Sequence, residues 1–216
     1  MPNFFVRKNE NSYLLSFMKV ILGSSSKWRQ NLAKKHLGYD VSLLPADIDE
    51  KKVAHEANPK TPQEHTTVIA KAKLEHLLTK VTDPKTIIIC CDTIVYFDGN
   101  ILEKPTDHDD CVNMIKMWSK NGDRTEIYTA VAIGSTEPRI ILSAVERADV
   151  VMTRDLKDEE IEPYIKESGC IQSSGSVIVE SLIDMNAAVI DGDQTVIEGL
   201  PISCVKRMIE EIAKKF

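Results

Sequence analysis

The run Ile87-Ile88-Ile89-Cys90-Cys91 constrains the fold more than any other stretch of the chain. Unbroken apolar sequence of this length, with no alternation, reads as a strand buried on both faces, the kind found in a sheet with helices packed above and below it. Other Val- and Ile-rich segments extend the sheet, with strands expected at Lys19–Gly23, Tyr39–Leu44, Thr86–Cys91, Ile94–Phe97, Ile127–Ile133, Ile140–Val151, Val177–Leu182 and Ala187–Ile190. Helical patterns separate them. Thr61-Pro62-Gln63-Glu64 is a capping box with proline at the first helical position, and it predicts a helix to about Lys80. Further helices are expected after Thr106, with Val112, Ile115 and Trp118 on one stripe, over Lys157–Lys166 ending near Gly169, and from Pro201 onward. Strands alternating with helices define an α/β fold class, and a hairpin at Asp98-Gly99-Asn100 makes the sheet mixed.

A chain of 216 residues has room for one substantial core, or for two lobes that share a sheet. We read one domain over residues 19–216 and an N-terminal extension over residues 1–18. That extension mixes Phe4, Phe5, Leu14 and Leu15 with Arg7, Lys8 and Glu10, so it lacks the apolar run and cleavage site of a secretory signal. No stretch approaches the roughly twenty apolar residues of a membrane span. The net charge of −6, with both signs mixed along the chain, argues against broad binding to nucleic acid or to an anionic membrane. Five cysteines, an odd number without Cys-x-x-Cys spacing, support neither a disulfide framework nor a zinc knuckle, and a reducing cytoplasmic setting is expected.

Charged and hydroxyl residues stand where a plain core would not place them. Lys19–Gly23 runs into Ser24-Ser25-Ser26 and then into a helix start carrying Lys27, Trp28 and Arg29. The helix's first N–H groups, with Lys27 and Arg29, suit a phosphate, and an ordinary serine cap ahead of core residues Trp28, Leu32 and Leu37 is the plain alternative. Asp92 closes the apolar strand and is expected at the rim of the sheet, either as a cap or at a ligand site. Lys73 falls on the apolar stripe with Ile69 and Leu77, where its ammonium either snorkels to water or reaches an anion. Asp47-Ile48-Asp49-Glu50 reads as a solvated turn or as carboxylates for magnesium. Lys104, held between Glu103 and Pro105, is another candidate phosphate contact.

These fragments, in this order, resemble the Maf family of nucleoside triphosphate pyrophosphatases. The resemblance rests on Leu22-Gly23-Ser24-Ser25-Ser26-Lys27-Trp28-Arg29, Asp47-Ile48-Asp49-Glu50, Ile69-Ala70-Lys71-Ala72-Lys73, Asp92-Thr93-Ile94-Val95, Glu103-Lys104-Pro105 and Gly199-Leu200-Pro201. It implies a fold like the inosine triphosphatase group, a mixed twisted sheet with flanking helices and two lobes around a central cleft. It also implies cleavage of a nucleoside triphosphate between the α and β phosphates, with Mg2+ or Mn2+ as cofactor, and it allows a homodimer. By the same resemblance Asp92, Glu50 and Lys73 are the catalytic residues, with Glu50 and Asp92 on the metal and Asp92 orienting or deprotonating the attacking water. Ser24, Arg29 and Lys104 are then expected to bind the triphosphate, Arg29 in bidentate fashion. Removal of Glu50, Lys73 or Asp92 is expected to abolish turnover and leave the fold intact.

Two departures bear on the substrate. Members commonly read Ser-Pro-Arg-Arg at the opening, whereas Lys27 and Trp28 stand here, and a tryptophan resembles the 7-methyl-GTP-cleaving branch. An indole either stacks on a base or packs as core. Around Gly169, the run Ser168-Gly169-Cys170-Ile171-Gln172-Ser173-Ser174-Gly175 lacks the family's Gln-Gly or Glu-Gly, resembling a divergent group from plants and protists, and leaves Gln172 and Ser174 as candidate pocket residues. The leading expectation is a pyrophosphatase for dTTP, UTP or a modified nucleotide. Its competitors are a 7-methyl-GTP pyrophosphatase, a nucleotide-binding regulator that has lost catalysis, and an acidic α/β protein whose serine junction is only a cap.

Overall fold

The computed structural model describes residues 18–37 and 40–216. Residues 1–17 of the expected extension and the start of the strand expected from Tyr39 lie outside the described residues. One mixed sheet runs in the order β2-β1-β3-β5-β6-β7, with β4 added to β3. Its strands are β1 Lys19–Leu22, β2 Val41–Leu43, β3 Thr86–Phe97, β4 Asn100–Leu102, β5 Arg124–Ser135, β6 Ile140–Met152 and β7 Ala188–Asp191. The helices are α1 Lys27–His36, α2 Glu50–Ala57, α3 Pro62–Lys80, α4 His108–Trp118, α5 Asp158–Ser168, α6 Val179–Asp184, α7 Gln194–Ile197 and α8 Ile202–Ala213. Among the described residues no helix is long and apolar enough to cross a membrane.

Local chemistry explains most boundaries. Glu64 N–H donates to Thr61 Oγ1 at 3.1 Å, while the Glu64 carboxylate reaches back to Lys60 N–H at 2.7 Å, so α3 starts on its capping residues. Asp98 and Gly99 take φ of 45° and 83°, which closes the tight β3–β4 hairpin. Gly169, at φ 67°, ends α5 in the left-handed conformation.

Three departures from expectation matter for the site. The strands expected at Thr86–Cys91 and Ile94–Phe97 are one strand, β3, so Asp92 is not at a strand end but in mid-strand, opposite Ala130 of β5. Val177–Leu182 is not a strand: from Val179 it is helix α6, because burying Val179 and Leu182 against the neighbouring core at a three-residue spacing outweighs β propensity. Asp47-Ile48-Asp49-Glu50 leads into α2, with Asp49 spent as its cap to Lys52 N–H at 3.0 Å.

The core has two parts. At the end of the sheet where β1 and β3 begin, one face is packed by α1 and α8 through Leu32, Val205 and Ile209, and the other by α3 through Ala70, Leu74 and Leu77. At the far end of β3, β5 and β6, a second core forms from Val95, Ile127 and Val150 with Ile115 and Trp118 of α4, Ile161 and Tyr164 of α5 and Leu182 of α6. Long strands thus carry two lobes, and the boundary between them crosses β3.

At that boundary the sheet splits. β1 pairs in parallel with β3 only as far as Leu22 opposite Ile89, closed by Gly23 N–H to Ile89 O at 2.7 Å. β4 joins the same side of β3 only from Val95. Between them, Cys90–Ile94 has ladder bonds on its β5 side alone among the described residues.

Away from this gap, Asp149 of β6 is buried under Arg124 at 2.6 Å and a two-point contact from Arg147 at 2.7 and 2.8 Å. Burial pushes its carboxyl up, and the hydrogen bonds from Arg147 and Arg124 outweigh this, leaving it below the usual carboxylate range. A lowered folded-state pKa contributes stability above the unfolded value, which is lost as pH falls through the folded one. Both guanidinia are half exposed, so we expect Asp149→Asn to cost about 1–2 kcal/mol at pH 7. The deficit relative to the wild type should shrink below about pH 4, as read from urea denaturation at a series of pH values.

Candidate active site

The gap in β3 opens onto a cleft of about 650 Å3. Consecutive strand residues face opposite sides of a sheet. Asp92 accordingly turns toward α3, where Lys73 Nζ donates to its Oδ1 at 2.9 Å, and Thr93 turns toward α1, where Arg29 Nη2 donates to its Oγ1 at 2.9 Å. Two cations approach the open edge from its two faces.

Lys73 does not snorkel. It lies on the buried stripe of α3 with Ile69, Ala70, Leu74 and Leu77, and is only 7% exposed. Its ammonium bridges Asp92 Oδ1 and, at 2.9 Å, Glu50 Oε2 at the start of α2. Asp92, also 7% exposed, has its carboxyl pushed up chiefly by burial; Lys73 and then Arg29 pull it down, and Glu50 adds a smaller upward push. Its Oδ2 has no partner among the described residues.

Arg29 is held by main chain. Its Nε donates to Gly199 O at 2.7 Å and its Nη1 to Cys91 O at 3.2 Å. With the Thr93 contact, three of the five guanidinium N–H groups are engaged. Arg29 therefore satisfies part of the unpaired β3 edge and tethers the segment after α7 to it. Gly199 makes this approach feasible: at φ 85°, a Cβ there would lie 3.0 Å from both Arg29 Nε and Thr93 Oγ1. Gly199→Ala should destabilise the protein by about 1–3 kcal/mol and reduce activity; a variant with unchanged melting temperature and turnover would show the tether to be dispensable.

The serine loop caps α1 and lines the cleft. Ser26 caps α1, its Oγ accepting from Arg29 N–H at 3.4 Å, while Ser24 Oγ accepts from Ser26 N–H at 3.1 Å. Ser24, 5% exposed, lines the cleft, and the N–H groups of Lys27 and Trp28 have no acceptor among the described residues. Trp28 is not core as its spacing with Leu32 and Leu37 suggested: it is 57% exposed at the cleft rim, while those two leucines are buried.

The opposite wall carries Lys104 with Gln172, Ser173 and Ser174. Gly175 N–H to Glu103 O at 2.9 Å and Trp118 Nε1 to Gly175 O at 2.9 Å lock the Gly169–Ser176 segment to the Lys104 loop and the second lobe. The structure thus gathers Ser24, Trp28, Arg29, Glu50, Lys73, Asp92, Lys104, Gln172 and Ser174 on one cleft. Asp47 and Asp49 are not among its lining. Sequence reading missed Glu180 and Glu198, which line it with Val177, Val179 and Ile197. Glu180 went unnoticed because its segment read as a strand; no signal marked Glu198.

The donor set suits a hard cation. Glu50 and Asp92 each spend one oxygen on Lys73, and among the described residues no three His, Cys, Asp or Glu converge as an all-protein metal cage. One or two carboxylates, completed by water and phosphate oxygens, is the usual environment of magnesium, so the residues fit.

Fold and cleft define a two-lobed mixed α/β protein that sets cations and hydroxyls around a carboxylate pair, an arrangement suited to phosphate-bearing ligands. Residues 19–212 match the family model described as Maf-like protein. The chain belongs to the Maf family. A dTTP/UTP pyrophosphatase of Clostridium botulinum (strain Eklund 17B / Type B) is 32% identical over 194 residues, covering 90% of this chain and 99% of that protein. One of Pyrococcus furiosus is 34% identical over 202 residues, covering 89% and 94%. A 7-methyl-GTP pyrophosphatase of Dictyostelium discoideum is 29% identical over 209 residues, covering 90% and 98%. A dITP/XTP pyrophosphatase structure from Mycobacterium abscessus aligns with a TM-score of 0.36 at 11% identity over 69% of this chain and 94% of that one, too distant to bear on the assignment.

Proposed function

We propose that this protein hydrolyses a nucleoside triphosphate between the α and β phosphates, releasing nucleoside monophosphate and pyrophosphate. The observation that carries this reading is the buried Lys73 ammonium held between Asp92 and Glu50 at the unpaired stretch of β3, facing the serine loop and Lys104. The pyrophosphatase names of relatives aligned over most of their length support it.

Water attacking a phosphorus ringed by negative oxygens needs charge neutralisation and positioning. Lys104, the remaining N–H groups of Arg29, the Ser24 hydroxyl and the α1 amide groups bind and orient the triphosphate. Asp92, raised by burial, is suited to take a proton from the attacking water through Oδ2, and Lys73 fixes that carboxylate in place. Glu50 and Asp92 would hold Mg2+ or Mn2+, which when bound neutralises phosphate charge. Residues 19–216 would act as one catalytic domain with residues 1–18 appended, in the cytoplasm, alone or as a homodimer.

The test is incubation with Mg2+ and a panel of nucleoside triphosphates, assayed separately for pyrophosphate and orthophosphate. Equimolar monophosphate and pyrophosphate is the expected product pattern. Tight nucleotide binding with no release would instead make the protein a nucleotide-binding regulator.

A further inference from the structure

One end of the cleft differs in chemistry from the phosphate-facing part. Trp28 stands at the rim there, because the Arg29 contact to Gly199 O brings the start of α1 against the segment after α7. Ile197, Val179 and Ile178 supply apolar wall, and the half-buried carboxylates of Glu180 and Glu198 are added to it. Gln194 Nε2 donates to Glu198 Oε1 at 2.8 Å, fixing the side chain and leaving Oε2 without a partner among the described residues. Burial, and to a lesser degree the Glu180 charge, push the Glu198 carboxyl up against the pull of the Gln194 hydrogen bond and the smaller pulls of Lys35 and His36. Two acidic groups thus crowd one end of the cleft, away from the buried Ser24, Lys73 and Asp92 of the proposed phosphate end.

Acceptor-only groups beside an exposed indole specify what they can receive. A carboxylate complements an edge with adjacent N–H donors, and of the common bases guanine presents this as N1–H beside the N2 amino group. Uracil and thymine present a single N3–H between two carbonyl oxygens, which a carboxylate repels. An indole face adds stacking for any base, and more for a cationic ring such as N7-methylated guanine.

We infer that Glu180 and Glu198, with Trp28 as stacking platform, form the base subsite and select guanine-type nucleotides over thymine and uracil. The inference rests on the proposed pyrophosphatase reading for its location. It sets this chain apart from those relatives named for dTTP and UTP.

The experiment compares kcat/KM for GTP, 7-methyl-GTP, ITP, UTP and dTTP in the full-length protein, wild type and Glu198→Gln, together with fluorescence titration of Trp28 by each nucleotide. Guanine nucleotides should exceed ITP, which lacks the N2 amino group, by about tenfold, and the pyrimidines by more. The carboxamide of the Glu198→Gln variant would offer both a donor and an acceptor, matching the uracil edge, so the GTP-to-UTP ratio should fall about tenfold or more, mainly through KM. A merely structural role would lower both substrates together and keep the ratio. Preference of the wild type for UTP or dTTP, or an unchanged ratio in both Glu198→Gln and Glu180→Gln, would overturn the inference. If no nucleotide yields pyrophosphate but the titration still shows GTP binding more tightly than UTP, the pyrophosphatase reading fails and the base subsite stands; equal binding overturns both.

Discussion

Replacing Asp92 with asparagine should lower kcat for pyrophosphate release by about a thousandfold or more while leaving the fold and most of its stability in place. Asparagine keeps the shape and can still accept from Lys73, and Lys73 retains Glu50 at 2.9 Å, so no buried cation is orphaned. What is lost is the negative charge at Oδ2, the group assigned to the water and the metal. We therefore expect a urea-unfolding free energy within about 1 kcal/mol of wild type. A variant that keeps more than a tenth of wild-type kcat would remove Asp92 from the chemistry.

Lys73→Met should behave differently, because it damages stability as well as turnover. The methionine fits the apolar stripe of α3, but two carboxylates then face each other with no cation between them, one of them 7% exposed. Breaking a buried pair from one side costs about 3 kcal/mol, which for a chain of this size corresponds to a melting temperature lower by about 6–12 °C. The expectation drawn from sequence, that such a variant keeps its fold intact, is sharpened here into a folded but weakened protein. The double variant Lys73→Met/Asp92→Asn should recover most of the lost stability and none of the activity. Additive losses in that cycle would show that the pair is not energetically coupled.

Much of this architecture was legible in the residues. The capping box at Thr61, the Asp98-Gly99 turn and the unbroken Ile87–Cys91 run each carry their own local physics, and the structure places each as expected. Five of the six motif fragments supplied residues that line the cleft, and the sixth supplied Gly199, which holds Arg29, but none of them gave the partners. That Lys73 would sit between two carboxylates depends on where α2 begins relative to α3, which no periodicity within α3 encodes. Asp92 looked like a strand terminus because the apolar run stops there; the strand continues, since β5 pairs with it through Tyr96. Glu180 was hidden for the converse reason, as Val177–Leu182 carries the composition of a strand while its burial follows a helix.

The unpaired stretch of β3 has a consequence for how the protein behaves in a crowded solution. Cys90–Ile94 of a central strand has no neighbouring strand on one side; it is largely buried in the folded cleft, so it becomes an edge on which a second chain could add as a strand only when the cleft loosens. Arg29 occupies one of the strand's carbonyls there and lays a charge along the opening. Arg29, proposed to hold phosphate, is thereby expected also to keep the molecule from sticking to its own copies. Shortening it to alanine should cost solubility on concentration or mild heating, a loss that restoring the activity alone would not repair.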